Sequence, residues 1–259
     1  MIDFHDHVLP GIDDGSRTMR ETITLLQEAE NAGFEKIICT PHFKESFYEA
    51  DVAKREKLMD DVKREISKLN IKVELYLGNE IFMADDRIAE LIKEKKASSI
   101  HNTRYVLFEF PLNSKPLNMF DMIYELQKND KIPVLAHPER YFYLQREPEI
   151  IYDLINRGVM MQQNFASIIG HYGKKTKVMA EKMLKTNSVH FLGSDVHRKS
   201  TIYCKMDIIL SRIERIIGKE RLEMLTTVNP SLVLENKEIE FKNPDKIVWN
   251  WRDKFRMKF

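Results

Sequence analysis

Seven short apolar runs punctuate this chain, and between them lie longer stretches whose apolar residues recur at three- and four-residue spacing. The runs fall at residues 1–4, 36–39, 73–77, 105–110, 132–136, 159–162 and 189–192. In the stretch 18–32, Met19, Ile23, Leu26 and Ala29 share one helical face, and Thr18 followed by Glu21 is a capping signal. Further helices are expected at 52–69, 86–95, 119–128, 148–157, 174–185 and 203–217. Strands that alternate with helices imply a parallel sheet, because parallel neighbours need a crossover between them. About seven such units predict an α/β barrel, closed or nearly so, with a doubly wound open sheet as the alternative. A length of 259 residues suits one such barrel. No repeat, low-complexity stretch or Gly/Ser-rich linker divides it, so 1–259 reads as a single domain, with a C-terminal extension at about 242–259.

Nearly every predicted strand runs directly into a candidate metal ligand. The first leads into His5-Asp6-His7, the second into Thr40-Pro41-His42, and the third into Gly78-Asn79-Glu80. Glu109 stands between Phe108 and Phe110 in the fourth, the fifth leads into His137-Pro138-Glu139-Arg140, and the last into Gly193-Ser194-Asp195-Val196-His197. In α/β barrels the site lies where the strands end, so six strands deliver imidazole and carboxylate groups to one rim. Those groups suit zinc, iron and manganese. Two or three such ions about 3.5–4 Å apart can share carboxylates and lower the pKa of bound water towards about 7. Each residue alone has a plain structural reading: a helix cap for Asp195 and His197, a core ring for His137, a salt-bridged barrel residue for Glu109. Their common position at strand ends is what structural residues have no reason to share. His101 and His171 lie in polar loops and His190 within a predicted strand, so none of the three is taken as a ligand. The loop Pro10-Gly11-Ile12-Asp13-Asp14-Gly15 offers Asp13 or Asp14, and spacing does not choose between them.

Composition narrows the function. With 43% hydrophobic and 31% charged residues the chain is expected to be globular. A formal charge of +1 argues against nucleic acid as the main partner. Two cysteines are too few for a disulfide scaffold and fit a reducing compartment. The opening residues lack the basic-then-apolar layout of a secretory signal, and no apolar run approaches the roughly 18 residues of a membrane span, so a cytoplasmic location is expected.

The segments HDHVLPGIDDG, TPH, GNE, HPER and GSDVH resemble the polymerase-and-histidinol-phosphatase (PHP) family of metallohydrolases. They are most similar to its manganese-dependent bacterial protein-tyrosine phosphatases of capsule and exopolysaccharide synthesis. The likeness runs from His5 to about Asn236. It implies a distorted TIM-like barrel of seven strands, the PHP fold, with a three-metal centre. One ion would be held by His5, His7, Glu80 and Asp195, a second by Glu80, Glu109 and His137, and a third by Asp14, His42 and His197. The metal would be Mn2+, with Fe, Zn, Co and Mg as alternatives. Arg140 would hold the phosphate. Similar phosphatases tend to carry a second arginine several residues beyond SDxH, whereas here Arg198 adjoins that motif.

The implied activity is hydrolysis of phosphotyrosine by metal-activated hydroxide, on a protein such as a cognate bacterial tyrosine kinase. A histidinol phosphatase or other small-molecule phosphoesterase on the same scaffold is the alternative. A thiol mechanism needs a cysteine six positions before an arginine, but Glu45 follows Cys39 and Leu210 follows Cys204 at that spacing. His42 or a coordinated water would assist the leaving phenolate. The tail, with Trp249, Trp251 and Phe255, is expected to be either a strand-and-helix cover on the barrel or an amphipathic docking segment.

Overall fold

In this computed structural model, which describes residues 1–240 and 243–258, nine strand segments form two parallel sheets. They are β1 (Ile2–Asp6), β2 (Lys36–Cys39), β3 (His42–Phe43), β4 (Glu74–Leu77), β5 (Glu80–Phe82), β6 (Tyr105–Glu109), β7 (Ile132–Ala136), β8 (Met160–Asn164) and β9 (Phe191–Gly193). One sheet runs β1-β2-β4 and the other β3-β5-β6-β7-β8-β9. The expected runs become strands within a few residues of their predicted ends. β3 and β5 are additions: each continues the strand before it past a break, Thr40-Pro41 in one case and Gly78-Asn79 in the other. Backbone bonds bridge the breaks, Thr40 N–H donating to Asp6 O at 2.8 Å and Gly78 N–H to Cys39 O at 2.9 Å. Counting each broken strand once leaves seven staves, as expected of the curled barrel.

The last stave returns to the first. Asp195 N–H donates to His5 O at 2.8 Å and His7 N–H to Val196 O at 3.3 Å, while the Phe4 and Phe191 rings stack with centroids 4.0 Å apart. Gly193 permits this approach: a Cβ there would lie 2.6 Å from the Cβ of His5 and 2.8 Å from Nε2 of Gln162.

Strand residues alternate between two cores. Phe4, Ile38, Leu107, Val134, Met160 and Phe191 fill the inside, which Val233 and Ile239 help to close, while Ile37, Val106, Leu135, Met161 and Leu192 face the helices. This is the two-residue period of a pleated strand buried on both faces.

The helices Met19–Asn31, Val52–Lys68, Ile88–Lys93, Met119–Lys128, Glu149–Asn156, Lys174–Lys185 and Met206–Ile217 occupy the expected stretches. Thr18 accepts from Glu21 N–H, so the capping signal is used. Short helices at Phe142–Arg146, Lys219–Glu223 and Asn229–Leu234 carried too few residues for a periodic signal. His190 precedes β9 rather than lying in it, because its ring nitrogen Nδ1 accepts Met161 N–H at 3.0 Å. Lys242 and Phe259, the bounds of the expected extension, lie outside the described residues; between them the chain forms the helix Trp251–Lys258, tied to Lys174–Lys185 by Lys182–Asp253 and Arg256–Glu181 pairs, both 2.7 Å. Among the described residues no helix is long and apolar enough to cross a membrane.

Candidate metal centre

Five imidazoles and four carboxylates named from the sequence meet at the strand ends. Three groups of them have ligand atoms within 4.8 Å of one another: His7, Asp14, His42 and His197; His5, His7 and Glu80; and His42, Glu80 and Glu109. Glu80 is fully buried at the start of β5 and lies at the hub. Its Oε2 is 2.9 Å from His42 Nδ1, 3.3 Å from His5 Nε2 and 3.4 Å from His7 Nε2, while its Oε1 is 2.8 Å from His137 Nε2. Glu109 ends β6, with Oε1 3.5 Å from His42 Nδ1 and Oε2 3.8 Å from His137 Nε2. Asp195 Oδ1 lies 3.5 Å from His7 Nε2 and 3.7 Å from His5 Nε2. His137 and Asp195 both adopt the left-handed backbone region, at φ 35° and 51°, which non-glycine residues rarely occupy and which recurs at functional sites.

The two loop aspartates divide their work. Asp14 Oδ1 points at His197 Nε2, 3.3 Å away, and at His42 Nε2, 3.5 Å away. Asp13 instead accepts from His7 Nδ1 at 2.8 Å and from His42 N–H at 2.9 Å, so it orients ligands from behind.

Ring orientation tests whether a cation suits the site. His5 Nδ1 faces the Gln162 side-chain oxygen at 2.8 Å, and His7 Nδ1 faces the Asp13 carboxylate. Each Nδ1 therefore donates, which leaves a lone pair on each Nε2. Those two Nε2 atoms are 3.0 Å apart. Two acceptors so close, with Glu80 Oε2 beside both, require a cation: a proton in the ion-free protein, a divalent ion in the loaded one. Neutral imidazole and carboxylate donors, each held by a further hydrogen bond, are what a metal site needs, so the residues fit one.

The ion-free electrostatics agree. Burial opposes charge on Glu80, but the imidazoles of His5 and His42 hold it well below the usual carboxylate range. Burial likewise works against protonation of His5 and His42, yet the Glu80 charge keeps them up at about 9 and about 10. Burial and the neighbouring Glu80 charge push Glu109 up to about 8. Protons thus occupy the positions that cations would take.

Arg140 sits beside this cluster. Its Nη1 donates to Asp195 Oδ2 at 2.8 Å, and its guanidinium lies over the Tyr172 ring, 4.5 Å from the centroid. Arg198 is pinned by its Nη1 to the carbonyls of Gly15 and His197, so it fastens the aspartate loop to the last strand end. Of the histidines set aside, His101 packs on Tyr76 and His171 on Tyr172. Sequence reasoning passed over Gln162, Asn164 and Glu139. Asn164 donates to Asp195 Oδ2 at 2.6 Å, and Glu139 Oε1 accepts from Asn164 N–H at 2.9 Å and Ser167 Oγ at 2.6 Å. The available signal was the polar run Gln162-Gln163-Asn164 closing an apolar strand.

Comparison with known proteins gives consistent matches. The family described as "Capsular polysaccharide synthesis, CpsB/CapC" matches residues 1–235. CapC of Staphylococcus aureus is 36% identical over 246 residues, covering 94% of this chain and 95% of its own. The tyrosine-protein phosphatase YwqE of Bacillus subtilis is 32% identical over 248 residues, covering 96% of both chains. A crystal structure from work on YwqE and on CpsB of Streptococcus pneumoniae, described as metal-dependent tyrosine phosphatases, superposes with a TM-score of 0.90 at 29% identity, covering 96% of this chain and 100% of that one.

Proposed function

The chain belongs to the CpsB/CapC family of capsular polysaccharide synthesis, and from that membership and the site's geometry we propose that it is a metal-dependent protein-tyrosine phosphatase. The observation that carries this reading is the convergence of the His5 and His7 lone pairs on Glu80 at the barrel mouth. His5, His7, Asp14, His42, Glu80, Glu109, His137, Asp195 and His197 would hold up to three divalent ions, Mn2+ in the native enzyme. Bound there, the ions would supply positive charge against the phosphoryl oxygens and acidify water for in-line attack.

The chain's own residues do the rest. Arg140 would bind the phosphate: its planar fork of donors matches a phosphate's oxygens, and only Nη1 is committed to Asp195. The Tyr172 ring packs on the guanidinium, 4.5 Å from its centroid, and so helps to hold it in place. His42 lies at the open edge of the cluster, between Glu80 and Asp14, and this ring or a coordinated water beside it would assist the leaving phenolate oxygen. Cys39 is buried, and burial pushes its thiol well above the usual range, so it is no thiolate nucleophile.

The substrate would be a phosphotyrosine-bearing protein, a cognate bacterial tyrosine kinase, met in the cytoplasm by a chain that works as one barrel domain. The test is hydrolysis of a phosphotyrosine peptide and of histidinol phosphate by chelated and by manganese-reloaded protein. Peptide turnover that vanishes on chelation and returns with manganese is expected. Full turnover without metal, or turnover of histidinol phosphate alone, would overturn the reading.

A further inference from the structure

Residues 242–259 stand apart in charge. They hold six basic side chains (Lys242, Lys246, Arg252, Lys254, Arg256 and Lys258) against Asp245 and Asp253, a net +4 where the whole chain is +1. The 241 residues before them therefore carry −3. Both of the chain's tryptophans, Trp249 and Trp251, lie in the same segment. The family match stops at residue 235, before the segment begins.

Among the described residues of this segment, some side chains are tied to the barrel and others are exposed. Asp253 pairs with Lys182 and Arg256 with Glu181 on the helix beneath. Asn250 and Asp253 cap one another, Asn250 N–H donating to Asp253 Oδ2 at 3.1 Å and Asp253 N–H to Asn250 Oδ1 at 2.9 Å. Trp249 packs against the core. Val248, Trp251 and Phe255, spaced three and four residues apart, are 71%, 73% and 60% exposed. The Arg252 guanidinium lies 5.3 Å from the Trp251 ring, so a cation stands beside the exposed apolar residues.

We propose that this segment docks the protein onto the anionic surface of a membrane. Tryptophan settles at headgroup depth, where its ring is buried and its N–H stays wet. An amphipathic helix with basic flanks lies in the plane of such a surface, apolar side down. Lysine and arginine are drawn to anionic lipid over a Debye length. The gathering of basic side chains in this one segment sets the orientation, with the segment towards the lipid. A second copy is a poor occupant, because pairing two stripes would bring +4 against +4. The stripe is short and the helix already folded on the barrel, so docking is reversible and costs no refolding. The inference does not depend on the phosphatase reading.

The experiment is co-sedimentation of the full metal-loaded chain with vesicles of phosphatidylcholine alone or mixed with phosphatidylglycerol. Binding to the anionic vesicles should exceed binding to neutral ones by about tenfold and fall as salt rises from 0.1 to 1 M, since the screening length shrinks from about 10 to about 3 Å. Val248→Ser/Trp251→Ser and Arg252→Glu/Lys254→Glu variants should each lose most of it. Their unchanged circular-dichroism spectrum and Tm would show that the fold is intact. Equal binding to neutral vesicles, no binding to either, or variants that bind as the parent does would overturn the proposal. So would a soluble dimer abolished by the same substitutions, or selective capture by an acidic peptide in place of lipid.

Discussion

Arg140 donates through Nη1 to Oδ2 of Asp195, 2.8 Å away, while the other oxygen of that carboxylate faces His5 and His7. One carboxylate therefore spans the residue proposed to hold phosphate and the residues proposed to hold metal. Burial opposes charge on Asp195, and His5, His197 and Arg140 together hold it far below the usual range.

Arg140→Lys separates these roles. The ammonium keeps a charge near Asp195 but loses the fork of donors. Catalytic efficiency on a phosphotyrosine peptide should fall roughly ten- to a hundredfold, the worth of a charged hydrogen bond of about 1.5–3 kcal/mol. Metal content and Tm on the same sample should hold. Parental efficiency, or a loss that follows metal loss, would show that Arg140 only braces Asp195.

Glu80→Gln should cost more than one ion per chain, since the amide is a poor bridge and Glu80 faces His5, His7, His42 and His137 at once. Elemental analysis reads this directly. His171→Ala, at an exposed ring that packs on Tyr172, should leave the metal content as it was. Equal losses at both positions would refute the ligand set.

Gln162→Leu removes the acceptor that fixes the His5 ring. Partners of this kind typically change metal affinity by about 10–100-fold, so a loss in that range is expected by calorimetric titration. Unaltered affinity would mean that packing alone orients His5.

Replacing Cys39 and Cys204 by serine should leave turnover nearly intact. The hydroxyl introduced at position 39 is buried and should cost about 1–3 kcal/mol in chemical denaturation. Abolished turnover in folded protein would restore a thiol mechanism.

Burial holds the His190 pKa down at about 3, against an ordinary 6.5. A depressed histidine is neutral in the fold, so its full contribution is present above pH 6.5 and is lost as pH falls towards 3. By pH 5 the loss is roughly 2 kcal/mol. His190→Asn keeps an acceptor for Met161 N–H without the titration. Between pH 7.5 and pH 5 the variant should lose about that much less stability than the parent in urea. Parallel losses would refute the assignment.

The barrel was legible in the sequence because most staves are buried on both faces and read as apolar runs. β3 and β5 were not, because a kink at Pro41 or Gly78 leaves segments of two and three residues, too short for a period. The cluster of candidate ligands was legible because imidazoles and carboxylates follow apolar runs at so many strand ends. Spacing alone could not tell Asp14 from Asp13, since the direction of each side chain depends on where the loop crosses His7 and His197; only the family resemblance chose Asp14. Gln162 and Asn164 passed unremarked, because an uncharged amide acquires its meaning only from the ring or carboxylate it faces.

The bond from Asp195 N–H to His5 O brings the last stave against the first and joins the first and last parts of the chain that carry the proposed ligands. Growing from its N-terminus, the polypeptide presents His5, His7, Asp14 and His42 long before Asp195 and His197 exist. Any ion taken up by the nascent chain meets an unfinished and exchangeable coordination sphere. With the proposed ligand set, a complete site would form only once the final stave is in place, so ribosomal completion and metal uptake would be coupled by topology.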